Sequence, residues 1–202
     1  IFGMSAGFTN TVLMGIPILL TAYGPEATLP IFLIIAFHGP TLMPLTTGLI
    51  QMDRGNGLSL ARQAGAIGLE LVKNPIIMGL LAGLVLNLAG VAIPGPLDRV
   101  AEMLGSTAVP CALFALGASL AGYSLRGEMA PTLLLVPLKV VLHPLLVWAL
   151  AVPVFGLDGI WVPVGVGMTA MPTGINAYLF GARYDAAPEV AARTILLSTV
   201  LS

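Results

Sequence analysis

The sequence predicts an all-α, polytopic membrane protein, and three observations carry that expectation. Hydrophobic residues make up 57% of the 202-residue chain and charged residues 8%, with a mean hydropathy of +1.01. A soluble domain carries about 25% charged residues, so this chain lacks the means to cover a water-facing surface. Its charges are clustered, and the apolar stretches between clusters approach the ~20 residues that a helix needs to cross the hydrocarbon core. Two of those stretches are broken by a proline accompanied by an asparagine: Asn10 with Pro17, and Pro172 with Asn176. A membrane β-barrel would need short segments alternating with period two, and the sequence has none.

The charge clusters mark out seven candidate spans, at roughly 3–23, 29–50, 75–93, 103–124, 131–154, 160–182 and 190–202. The first closes before Glu26 and the second before Asp53 and Arg54. The third opens after Lys73, and the fourth lies between Glu102 and Arg126. The fifth follows Glu128, the sixth runs from beyond Asp158 to Arg183, and the seventh opens after Glu189 and is truncated. The chain opens at Ile1 without a methionine and stops inside an apolar run, so a fragment is expected. No signal peptide is visible. Segment 51–74 is the long connection; Leu58, Ala61, Ala64, Ile67, Gly68 and Leu71 share one helical face there. It reads as a short helix on the membrane surface or packed on the bundle.

Orientation follows from the basic residues. Arg54, Arg62, Lys73, Arg126, Arg183 and Arg193 fall in one set of loops and only Arg99 in the other, which places the first set in the cytoplasm. The net charge of −1 argues against a nucleic-acid partner, because no basic patch exists to neutralise phosphates. The single Cys111 is expected to be a small buried hydrophobe. Close helix packing is expected at Ala82–Gly83, Gly117–Ala118–Ser119 and Gly165–Val166–Gly167.

The two broken spans hold the candidate site. Pro17 and Pro172 lack an amide donor and push on the preceding turn, and Gly15 and Gly174 ease an irregular backbone beside them. Amides and carbonyls freed in hydrocarbon need protein, water or a ligand as partner. Asn10, Thr173 and Asn176 sit beside the breaks, and Asn176 lies four residues beyond Pro172, on the same helical face. The bland alternative is a pair of proline kinks with structural asparagines. The two spans run in opposite directions, so half-helices starting after Pro17 and Pro172 would both aim positive dipole ends at one cavity, which suits an anion. Interrupted helices in corresponding halves are the sequence pointer to a transporter's binding site.

Lys139 stands inside the fifth span with His143 one turn later. A charge in hydrocarbon costs at least about 2.5 kcal/mol, so a role is expected: attracting the anion or bonding unwound carbonyls. The competing reading is a lysine that snorkels to the interface. For His143 and His38, each beside a proline or a Gly–Pro pair, a packed neutral imidazole is the expectation.

Several runs resemble the auxin efflux carrier family. Asn10 followed by Gly15–Ile16–Pro17 is similar to its Asn-x₄-Gly-[Ile/Leu]-Pro segment, and Lys73–Asn74–Pro75 to its Lys-Asn-Pro element. Leu116–Gly117–Ala118–Ser119–Leu120, Lys139 with Pro144, Met171–Pro172–Thr173–Gly174–Ile175–Asn176 and Leu197–Ser198–Thr199 complete a series in family order. The resemblance implies ten helices in two inverted five-helix repeats, with helices four and nine broken and crossing, as in the wider bile acid and anion transporter-like superfamily. On that map, 1–50 ends the first repeat, 51–74 is a cytoplasmic linker, and 75–202 is the second repeat with its last helix truncated. The long loop of the plant auxin exporters is missing, which favours a bacterial carrier of a small carboxylate such as malonate or malate, multi-pass in the inner membrane.

The expected partners are a small organic anion, membrane lipid and, as a candidate, a second copy of the chain; no cofactor and no metal site is expected. Substrate-binding candidates are Asn10, Pro17, Lys139, Pro172, Thr173, Gly174 and Asn176. Competing readings are a sodium-coupled bile-acid-type symporter, a receptor or channel on the same scaffold, and an intramembrane serine protease using Ser119 with His143 or His38. Gly117–Ala118–Ser119 is a weak match to a nucleophile motif, so no enzyme is expected.

Overall fold

A computed structural model of the chain describes residues 1–53, 65, 69, 73, 75–123 and 128–202. The surface helix expected within 51–74, and the basic residues Arg54, Arg62 and Arg126, lie outside the described residues. The chain is all-helical, without strands among the described residues beyond one isolated bridge. The helices are α1 (Phe2–Gly7), α2 (Ile16–Tyr23), α3 (Thr28–Asp53), α4 (Pro75–Leu88), α5 (Gly95–Leu120), α6 (Ala130–Pro137), α7 (His143–Ala151), α8 (Trp161–Ala170), α9 (Asn176–Tyr184) and α10 (Pro188–Leu201). Two helical stretches, Thr11–Ile50 and Ala130–Ala151, are long and apolar enough to cross a membrane.

Helix α5 begins earlier than the charge pattern predicts. Gly95–Pro96 opens it, with proline in the first turn where a missing donor costs nothing and Asp98 favourably placed near the positive helix end.

Wide π turns occupy Thr11–Gly15 and Leu138–Leu142, and both lead into an X–Pro pair that begins the next helix. In each, an amide reaches five residues back: Ile16 N–H to the Thr11 carbonyl and His143 N–H to the Leu138 carbonyl. A proline in a regular helix would press its ring on the carbonyl four residues before it. Opening the turn by one residue relieves that clash, and the helical hydrogen bonding carries through into the next segment.

The chain divides into two compact units, residues 32–108 and the remainder, 1–31 with 109–202. The second of these holds both broken spans. Within it α7 packs on α8, α9 on α10, α10 on α6, and α1 against both α6 and α10, while α2 and the first π turn lie along α8. Met4, Phe8, Leu19, Val164, Met168, Ala177, Ala191 and Ile195 form its buried core. Leu133 and Leu134 on α6 are 62% and 65% exposed, and Leu145 and Trp148 on α7 also face outward, as expected where lipid replaces water. Cys111, expected to be buried, is exposed on α5; an apolar thiol is equally at home against lipid.

Close backbone approach is confined to particular glycines. A Cβ on Gly15 would stand 2.6 Å from the Met168 sulfur and one on Gly167 2.8 Å from Leu19 Cδ2, whereas Gly83, Gly117 and Gly165 have no described atom within 4 Å of that position. The small residues at those three positions therefore serve no close helix contact among the described residues.

Candidate functional site: a crossing of two opened helices

Helix α1 stops at Gly7, and Phe8 turns extended (φ −80°, ψ 120°). Helix α8 stops at Ala170, and Met171 turns extended as well (φ −57°, ψ 152°). The two opened segments pair with each other. Thr9 and Thr173 face one another as an antiparallel bridge, flanked by Asn10 N–H donating to the Pro172 carbonyl at 2.8 Å and Gly174 N–H to the Phe8 carbonyl at 2.9 Å. Each break thus supplies the partners that the other has lost, the condition for irregular backbone at membrane depth.

Side chains fasten the pair. Thr173, fully buried, donates its hydroxyl to the Ser5 carbonyl at 2.6 Å and its amide to Ser198 Oγ at 3.1 Å. Gly174 admits no side chain: a Cβ would lie 2.7 Å from Phe8 Cδ1 and 2.9 Å from the Thr9 carbonyl oxygen.

Lys139 stands in the second π turn with no exposed surface, which excludes snorkelling. Its ammonium donates to Thr9 Oγ1 at 2.7 Å and to the Thr169 carbonyl at 2.9 Å, and lies 3.1 Å from His143 Nδ1. An ammonium has three donors, and these three contacts use all of them. The lysine therefore braces both broken spans instead of presenting a free proton to a ligand, and His143 serves as its acceptor.

The sequence-predicted residues fall into two groups. Asn10, Lys139, Pro172, Thr173 and Gly174 all reach the crossing. Pro17 does not pair there: it is buried in the first turn of α2, beyond the π turn, and the residue that meets Pro172 is Asn10. The half-helix of the first span accordingly starts at Thr11 and not after Pro17. Asn176 is the half-buried first residue of α9; Pro172 lies in the extended segment, so helical spacing between the two does not apply.

Asn10 caps the first π turn, its Oδ1 accepting from Leu13 N–H at 3.2 Å, while its amide nitrogen donates to no described group. The Asn176 side chain and the backbone amides of Ile175 and Asn176 likewise have no acceptor among the described residues. The crossing thus offers N–H donors at two helix starts, a constellation suited to an anion.

Thr9, Thr169, Ser5 and Ser198 were not singled out by sequence, since an isolated threonine or serine in an apolar span carries no distinctive signal. Arg193 had one: a charge several residues into an apolar span is expensive. The charge pattern counts it among the loop residues, yet it is buried in α10, 4% exposed and engaged by neighbouring groups. Ser119's side chain lies outside the described residues, and His143 is held by Lys139, so the protease pairing gains no support.

An apolar, all-helical chain with two spans opened midway and joined at their breaks has the build of an integral membrane transport protein. The comparison with known families agrees: residues 1–202 match the family described as Membrane transport protein, and the chain belongs to this family, that of the auxin efflux carriers. It is similar to a "Putative malonate transporter" of Rhizobium meliloti (strain 1021), 33% identical over 201 residues, covering 99% of this chain and 62% of that protein. It is also similar to an "Uncharacterized transporter" of Methanothermobacter thermautotrophicus (strain Delta H), 25% identical over 201 residues, covering 98% of this chain and 63% of that protein. The chain spans about three fifths of the length of these relatives.

Proposed function

We propose that the protein is part of a secondary carrier for a small organic anion, a carboxylate of the malonate or malate type, that works by alternating access around the crossing. Residues 1–50 then close a first inverted repeat as helices four and five of ten, and 75–202 form the second as helices six to ten, in a bacterial inner membrane. The observation that carries this reading is the crossing, where two spans open together and leave Asn10, Asn176 and the start of α9 with unused N–H donors. Donors of that kind at two helix starts favour a carboxylate over a cation or neutral solute. The likeness to a protein named for malonate transport points the same way.

The test is uptake of radiolabelled malonate and malate into proteoliposomes holding the full-length protein. Saturable uptake is expected, and Asn10→Ala and Asn176→Ala should each lower it about tenfold or more at matched abundance, the effect of losing one hydrogen bond to a charged group. Equal losses of folded protein and flux would reduce both asparagines to structural parts.

A further inference from the structure

Lys139 is a buried cation held without an anion. Among the described residues no carboxylate pairs with it, and its side chain has no exposed surface. A desolvated ammonium is ordinarily stabilised by an acidic partner. Here three neutral lone pairs take that place, each from a different element: the hydroxyl of Thr9 in the opened segment after α1, the carbonyl of Thr169 at the end of α8, and Nδ1 of His143 at the start of α7. Thr169 is the last residue but one of α8, so its carbonyl has no helical partner and sits at the negative end of the helix dipole.

A hydroxyl, a free helix-end carbonyl and an opened backbone are the groups with which broken-helix carriers hold a coupling cation, whereas helix N-termini face the anionic substrate. We propose that the Lys139 ammonium is a built-in cation: it permanently fills a monovalent-cation site formed by Thr9, Thr169 and His143, so the crossing needs no Na⁺, and removing Lys139 turns the same site into one that takes up a free cation. The stabilising part of this proposal stands on the contacts alone. Its consequence for transport, independence from Na⁺, rests on the carrier reading.

The experiment uses purified full-length protein and compares thermal unfolding in NaCl, KCl and propylammonium chloride against choline chloride at equal ionic strength. Wild type should unfold at one temperature in all four. Lys139→Ala should unfold earlier in choline and recover by roughly 2–4 °C or more in at least one of the three smaller cations, because a ligand that binds only the folded state raises its midpoint. Propylammonium replaces the part of the side chain that Lys139→Ala removes. Adding Thr9→Val to Lys139→Ala should abolish the recovery.

A wild-type midpoint that rises in NaCl over choline overturns the proposal, as does a Lys139→Ala protein indifferent to every cation. Failure of Lys139→Ala to fold in any of the salts also counts against it, since a vacated cation site would be refilled. In proteoliposomes, wild-type uptake should stay within twofold when choline replaces Na⁺, and a tenfold drop overturns the transport consequence. Absence of flux in every salt would defeat the carrier reading instead and leave the unfolding comparison to decide the cation site.

Discussion

At the scale of single residues, the crossing depends on a few atoms with no substitute nearby. Thr9 Oγ1 receives the Lys139 ammonium at 2.7 Å in a fully buried setting. Hydrogen bonds between membrane helices average only about 0.6 kcal/mol, but those to a charged group are worth about 1.5–3 kcal/mol and leave a buried donor unmet when lost. Thr9→Val should therefore destabilise the protein by about 2 kcal/mol, and Thr9→Ser should restore most of it; denaturant titration in detergent reads both. Gly174 is held to no side chain by the Thr9 carbonyl oxygen, 2.9 Å from where a Cβ would stand. Backbone cannot swing aside as Met168 can beside Gly15, so Gly174→Ala should cost about 1–3 kcal/mol or more and lower abundance, while Gly15→Ala is tolerated better. Comparable yields of the two variants on size-exclusion chromatography would contradict this difference.

At the scale of elements, the broken spans were legible and the positions of the breaks were not. Prolines and glycines beside polar residues in an apolar run marked spans 3–23 and 160–182 as irregular, and both are opened. In the second span the break holds its proline, at Pro172. In the first, a π turn takes up the strain of Pro17, and the opening falls at residues 8–10 instead. Sequence periodicity at 3.6 residues per turn cannot register such a turn, because it inserts one residue into the repeat. The same effect hid the aim of Lys139, which stands in the π turn before His143–Pro144. Pro144→Ala would remove the reason for that wide turn. The segment should relax toward a regular helix, swing Lys139 away from Thr9, and lower transport several-fold more than abundance. Matched uptake and immunoblots test this; wild-type flux in Pro144→Ala would mean that packing, not proline, sets the wide turn.

At the scale of the whole molecule, the placement of Arg193 alters the basis for orientation without changing its direction. A buried arginine engaged inside α10 is not a free loop charge, so it drops out of the count that decides which side faces the cytoplasm. Arg183, in the last turn of α9 and stacked 5.7 Å over the Tyr184 ring, remains in it. The connection between α7 and α8, at 152–160, carries Asp158 and no lysine or arginine. The opened span of α8 and α9 separates these two regions, so they should lie on opposite sides of the membrane, with Asp158 outside and the start of α10 inside. The check is labelling of single cysteines by a membrane-impermeant maleimide, in a Cys111→Ser background because that thiol is exposed. Asp158→Cys and Glu189→Cys both place the label at exposed positions. In spheroplasts carrying the full-length protein, Asp158→Cys should react at once and Glu189→Cys only after the membrane is permeabilised. The reverse order would turn the molecule over, and reaction of both in intact spheroplasts would mean that α8 and α9 do not together cross the membrane.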